Sequence, residues 1–361
     1  MTAVMPLAKE TAMVSRFLAA LCLLLVGIAS TGSVQATPIS VYGAWLCSND
    51  GCAWSTVRNM TDFDTNNNWL INRGDGSGLP SVNLVVLAFA DPLVVLNNDS
   101  FPVGITPAIV QYFTSKGVRV MVSIGGITYT SNWDSALASN PTQLGINAAN
   151  LAKSLGVGVE IDYENGTPNT AGLTAFVNAY RSVNPVDMTG ANPAARLTVD
   201  LGAGDRYLGA MATWAAPLLS GTTPTLDYAN AMVPSKQPSA SAAEANWSEH
   251  INGEPQYAPP IPPLAPARFT GSLYITDSTK PIPECISFGT SLELSTDTFV
   301  QTVAPNGGGT TPGMLGYMFW AAEAPSSRNV TTDPPNACTS GVGVGAKTYD
   351  IPIPMPALTR Y

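Results

Sequence analysis

Three acids stand at alternate positions in the run VGVEIDYE (157–164): Glu160, Asp162 and Glu164, with Ile161 and Tyr163 between them. In an extended strand, residues two apart share a face. All three carboxyl groups then point one way, and Val159, Ile161 and Tyr163 point the other. Apolar runs elsewhere in the chain make this a buried strand; the other reading of the pattern is an exposed, alternating one. Carboxylates held close together in a buried place cannot all ionise, so one keeps its proton at neutral pH. Glu164 comes last and reaches the end of the strand. A carboxylic acid held protonated at an open site is a general acid, the group that glycosidic-bond cleavage requires.

Such a strand needs a frame. Eight short apolar or β-rich runs recur, at 39–46, 82–90, 118–126, 157–164, 196–204, 226–234, 272–277 and 314–323. Several are continuous Val/Ile/Leu runs, as in strands of a parallel sheet buried on both faces. Helical periodicity lies between them, at 106–117, 143–156, 169–183, 205–219 and 295–304. The first of these has Pro107 near its start and Gly117 after its end, the usual asymmetry of helix boundaries. The crossover after the sixth run is the least defined. It contains PQYAPPIPPLAP (255–266), which reads as a rigid surface loop or as a polyproline ligand. Eight β-then-α units imply an α/β protein, a single-domain (β/α)8 TIM barrel with enlarged loops. A doubly wound open sheet is the rival, but no Gly-rich phosphate turn follows an early strand. In a barrel the site lies at the C-terminal mouth, where Glu164 emerges.

The segments are similar to the signatures of glycoside hydrolase family 18, the chitinase family. VGVEIDYE resembles its strand-four motif D-G-x-D-x-D-x-E through Gly158, Asp162 and Glu164. MVSIGG (121–126) resembles its strand-three S-x-G-G element through Ser123, Gly125 and Gly126. NLVVLAFA (83–90), which contains Phe89, is similar to its second strand, and LDYANAMVP (226–234) to its sixth through Met232. YMFWAAE (317–323) resembles its last strand, whose tryptophan floors the sugar site; that position is Trp320. The resemblance implies a retaining hydrolase of β-1,4-linked N-acetylglucosamine polymers, chitin or chito-oligosaccharides, with no metal and no organic cofactor. Glu164 would protonate the leaving oxygen. The substrate's own acetamido carbonyl would attack the anomeric carbon. Asp162 would orient that group, with Glu160 beneath it. Carboxylate spacing predicts no stereochemistry for such a mechanism. Phe89, Gly125, Gly126, Met232 and Trp320 are the substrate-side residues that the resemblance implies.

Three positions depart from the pattern. Val157 replaces the first acid, and Glu160 adds a methylene where the family has aspartate. Pro234 stands where the family has a tyrosine that bonds the acetamido oxygen, and proline has no donor. Tyr207 and Tyr274 are candidate substitutes. The departures support a second reading, a catalytically silent carbohydrate-binding barrel such as a lectin or decoy. A third, a protein-interaction barrel such as an enzyme inhibitor, rests on fold analogy. Glycoprotein N-glycan cores are another substrate class of the family. Trp45, near the end of the first strand, and Trp133, after the third, fall on mouth-side segments and are expected to stack on sugars. Trp214 reads as core, and His250 as a loop residue outside any catalytic triad.

Composition bounds the rest. Of 361 residues, 45% are hydrophobic and 11% charged, which is globular rather than disordered. The net charge is −9 and no basic run follows the N-terminus, so nucleic acid and anionic membrane surfaces are excluded as expected partners. Lys9 and Arg16 precede the apolar stretch FLAALCLLLVGIAS (17–30), and Val34-Gln35-Ala36 fits a cleavage site. Residues 1–36 thus read as a signal peptide and 37–361 as the barrel of a secreted, extracellular monomer. A membrane anchor is the alternative, although the stretch is shorter than the roughly 20 residues of a span. Cys47, Cys52, Cys285 and Cys338 remain after cleavage. Expected disulfides are Cys47–Cys52 and Cys285–Cys338, one of three pairings that four cysteines permit. Five N-x-S/T sequons occur, at Asn59, Asn98, Asn165, Asn246 and Asn329. The one at Asn165 directly follows Glu164, where a glycan would crowd the cleft, so it is expected to be unoccupied.

Overall fold

The computed structural model describes residues 39–47, 71, 79–80, 82–98, 101–102, 104–202, 208–232, 239–274 and 290–320. They fall within one compact unit, Ala36–Tyr361. The expected signal segment, Cys52, Cys285, Cys338, Tyr207 and Pro234 lie outside the described residues, as do the side chains of Cys47 and Tyr274.

Eight strands close into a barrel in chain order: β1 (Val41–Cys47), β2 (Leu84–Ala90), β3 (Arg119–Gly125), β4 (Gly158–Asp162), β5 (Leu197–Leu201), β6 (Ala229–Ala231), β7 (Phe269–Tyr274) and β8 (Gly316–Trp320). Every neighbouring pair is parallel, including β8 with β1. Helices α1 (Pro92–Asn97) and α2 (Pro107–Thr114) lead from β2 to β3, and α3 (Thr130–Ser139) and α4 (Pro141–Leu155) from β3 to β4. Each later crossover carries one described helix: α5 (Thr170–Val183), α6 (Gly209–Leu218), α7 (Ala240–Asn252) and α8 (Thr290–Thr302). This is the (β/α)8 barrel that the sequence implied.

Local chemistry sets the helix limits. Asn140 Oδ1 caps α4 by accepting from Gln143 N at 3.0 Å, and Pro141 follows it, a position where its missing N–H is harmless. Gly156 ends α4 at φ +67°, a left-handed conformation that glycine adopts freely. Thr106 caps α2 in the same way.

Alternation along the strands makes two layers. Val85, Leu87, Val122, Ile124, Val159, Ile161 and Val199 are wholly buried in the apolar core that also takes in Phe113, Leu144 and Phe176 of the helices. Val41, Trp45, Leu84, Val86, Met121, Tyr228 and Met318 form a second cluster, on the inward positions. Fully burying one large apolar side chain contributes roughly 1.5–3 kcal/mol.

Three expectations about element limits change. The seventh strand lies at Phe269–Tyr274 rather than 272–277, and the sixth shrinks to Ala229–Ala231. β4 ends at Asp162, so Glu164 lies just past the strand. His250 is not in a loop: it is in α7, buried, with Nε2 2.6 Å from the Gly202 carbonyl.

Candidate active site

The inward positions change from apolar to polar toward the C-terminal ends of the strands. Pairing puts Glu160 level with Ser123 of β3 and Thr198 of β5. Asp200 of β5 is level with Asn230 of β6, and Asn230 with Thr270 of β7. All six side chains are buried, and so is Asp162.

Glu160 is the hub. Trp45 Nε1–H donates to its Oε1 at 2.8 Å, and the Asn230 amide donates to its Oε2. The Thr270 hydroxyl donates to Asn230 Oδ1 and orients that amide. Asp200 stands level with that Asn230 amide, beside the Glu160 carboxyl group. Burial raises the Glu160 pKa, while Asp200, Trp45, Ser123 and Asn230 pull it back. Ser123 acts by proximity, without the geometry of a full hydrogen bond.

Asp162 and Asp200 are pushed well above the usual carboxylate range. For Asp162 the cause is burial, then the charge of Glu164, then that of Glu160. For Asp200 it is burial, then the charges of Glu160 and Asp162. Each has a buried Oδ1 with no hydrogen-bond partner. Glu160, with the most donors, is therefore the best site for a negative charge, and burial with the neighbouring charges favours the protonated forms of Asp162 and Asp200. No group of His, Cys, Asp and Glu able to hold a metal ion occurs among the described residues.

Glu164 is half-buried beyond β4. Thr130 Oγ1 donates to its backbone carbonyl at 3.2 Å. Its neighbours are tied to one group, Asp134 of α3. The Tyr163 hydroxyl donates to Asp134 Oδ1, and Asn165 Nδ2 donates to the same oxygen at 2.8 Å. Tyr163 faces the helix layer, as alternation requires, and burial, with Asp134, pushes its hydroxyl up to about 12. A glycan on Asn165 Nδ2 would have to share that nitrogen with Asp134.

Gly125, the last residue of β3, and Gly126 after it let the chain pass close to its neighbours. Gly126 N donates to the Asp162 carbonyl at 3.0 Å. A Cβ on Gly125, which has φ +123°, would run into that carbonyl and into the Trp133 indole nitrogen. A Cβ on Gly126 would meet the Phe89 ring at 3.0 Å. Phe89 sits at a register shift between Ala88 and Ala90. Its ring lies 5.6 Å from that of Trp320, tilted by 31°. Both residues are partly exposed at the C-terminal ends of their strands.

Two tryptophans differ from expectation. Trp45 is 4% exposed and bound to Glu160, so it supports the carboxylates instead of offering a face to sugar. Trp133 is wholly buried between Tyr163 and Phe176, and its Nε1–H bridges the Ile124 and Asp162 carbonyls at 3.1 Å each. It clamps the ends of β3 and β4. Met232 is half-buried just past β6 against the main core, with its N–H on the Leu201 carbonyl at 2.8 Å. Sequence reasoning missed Asp200 and Asn230. Their signal was a polar residue at an inward position of an otherwise buried strand, in LTVDL and in YANAM.

No protein-family model matches the chain, and no curated protein sequence matches it. Among solved structures it is similar to a GH18 chitinase from Pseudoalteromonas aurantia, at 16% identity and a TM-score of 0.46, over 78% of this chain and 94% of that one. It is similar to a chitinase from Rhizomucor miehei, at 15% identity and a TM-score of 0.44, over 78% and 94%. It is also similar to an endo-beta-N-acetylglucosaminidase from Cordyceps militaris, at 11% identity and a TM-score of 0.46, over 86% and 91%. Identities this low carry nothing about activity to this chain.

Proposed function

We propose that this chain is a retaining glycoside hydrolase that cleaves β-1,4-linked N-acetylglucosamine polymers, chitin or chito-oligosaccharides, by substrate-assisted catalysis. The observation that carries this reading is the graded set of acids along β4: buried Glu160, then Asp162, then half-buried Glu164 just past the strand. Glu164 protonates the leaving glycosidic oxygen. The acetamido oxygen of the same sugar closes on the anomeric carbon, and positive charge develops on its nitrogen. The N–H of that group donates to Asp162, whose Oδ1 has no hydrogen bond within the protein, and the charge favours the ionised form of Asp162, its proton passing to solvent. Water then opens the ring intermediate with Glu164 as base. The partly exposed faces of Trp320 and Phe89 suit a sugar ring. On the same reading the protein is secreted without residues 1–36, pairs Cys47–Cys52 and Cys285–Cys338, and acts as a monomer.

A second reading is a carbohydrate-binding barrel without turnover. Pro234, in place of a hydroxyl donor, and the longer Glu160 favour it. Incubation of the protein with chito-oligosaccharides, read by reducing-sugar release and by calorimetry, separates the two. Release supports the hydrolase, binding without release the lectin, and neither sinks both.

A further inference from the structure

The barrel interior holds a third buried carboxyl group that the reaction above does not use. Asp200 is 2% exposed, on the strand next to that of Glu160 and Asp162. Register fixes it there: Ile161 pairs with Val199, so the inward residue after each, Asp162 and Asp200, stand side by side. On its other side is Asn230, the amide that donates to Glu160. Two carboxyl groups can share a hydrogen bond only if one keeps its proton, and Glu160 already accepts from Trp45 and Asn230. In a bond between the two, Asp200 is therefore the donor.

We propose that Asp200 is a positioning residue that donates a hydrogen bond to Glu160, fixes Glu160 as the anion of the site, and so leaves Asp162 as the carboxyl group free to change state with substrate. Beside it stand Glu160 and Asp162 on β4 and Asn230 on β6. Among the described residues, carboxylates and neutral donors account for its state, with no cation contributing. When Asp200 ionises at high pH, a second charge enters the cluster. Glu160 then loses a donor, and Asp162 gains a repelling neighbour.

Two variants of the full chain test this. Asp200→Asn keeps a donor toward Glu160 and cannot ionise; Asp200→Leu keeps neither donor nor charge. The first readout, the thermal midpoint against pH, needs no turnover. A group whose pKa is higher folded than unfolded supports the fold fully below its unfolded value, and that support is lost as pH rises through the folded value. Wild type therefore falls away from Asp200→Asn from about pH 4 upward, and the gap widens until pH has passed the folded value. Parallel curves overturn the proposal. The second readout is kcat/KM against pH, and it rests on the hydrolase reading. Asp200→Asn moves the alkaline limb upward, whereas Asp200→Leu loses roughly a hundredfold at every pH. Equal profiles for the two variants overturn the proposal. If wild type turns over no chito-oligosaccharide, the hydrolase reading fails and the thermal curves alone decide the role of Asp200.

Discussion

Replacing Trp45 by Phe isolates one hydrogen bond of the carboxylate hub. The ring stays aromatic and buried, but Glu160 Oε1 loses its donor at 2.8 Å. A hydrogen bond to an ionised group is worth about 1.5–3 kcal/mol. Glu160, already raised by burial, then rises further, because a donor that favoured its charged form is gone. The sign follows from linkage. A raised folded pKa leaves stability intact below the unfolded value, near 4.3, and removes it as pH climbs through the folded value. Below pH 4 the variant is weaker only through lost packing, on the order of 2 kcal/mol, less than the 3–5 of a full truncation to alanine. Toward pH 8 a further deficit of about 1.5–3 kcal/mol opens. Urea unfolding at a series of pH values measures both parts. A deficit that stays constant from pH 4 to pH 8 would refute the reasoning, because it would mean that Trp45 contributes volume and no charge stabilisation.

Other consequences follow from the same geometry. Asp297 of α8 accepts from the Tyr317 hydroxyl at 2.7 Å, while its Oδ2 is buried and unpaired. Burial pushes its pKa up to about 6. Asp297→Asn should gain stability as pH rises from 4 to 7, by at most about 3 kcal/mol, and show no gain at pH 4; thermal scans at both values check this. Gly125→Ala should cost more than about 3 kcal/mol, because strain at φ +123° adds to the collision with the Asp162 carbonyl. Gly156→Ala, with open space around its Cβ, should cost only about 1–2 kcal/mol. Urea midpoints of the two variants measured side by side check that contrast.

The strands were legible where they are buried on both faces. VNLVVLAFA and VRVMVSIGG contain little else but apolar residues, and β2 and β3 lie within them. β7 was misplaced because Gly271 stands inside it, and glycine normally weakens a strand. The structure gives the reason: the Trp247 indole packs where a Cβ of residue 271 would be. Helix α7 was missed because ASAAEANWSEHIN presents little apolar surface, Trp247 and Ile251 being its large buried residues. The alternating acids of β4 could be read because their period is local. Asp200 and Asn230 could not, since their meaning depends on which residues of other strands share their level, and only register supplies that. Trp45 and Trp133 were found by type and segment, but the direction of each ring is a tertiary property. A tryptophan near a barrel mouth can stack on a sugar, or it can hold a carboxylate or a pair of carbonyls from behind.

On the proposed reading, Glu164 is the acid of a glycosidic cleavage. Reducing-sugar release from chito-oligosaccharides by wild type and by Glu164→Gln tests it most directly. Glutamine keeps the shape of the side chain and removes the transferable proton. Wild type is expected to turn over substrate, and the variant to lose roughly 10²–10⁴-fold while keeping oligosaccharide binding by calorimetry. Turnover in the variant equal to that of wild type would contradict that reading and move the chemistry to another residue.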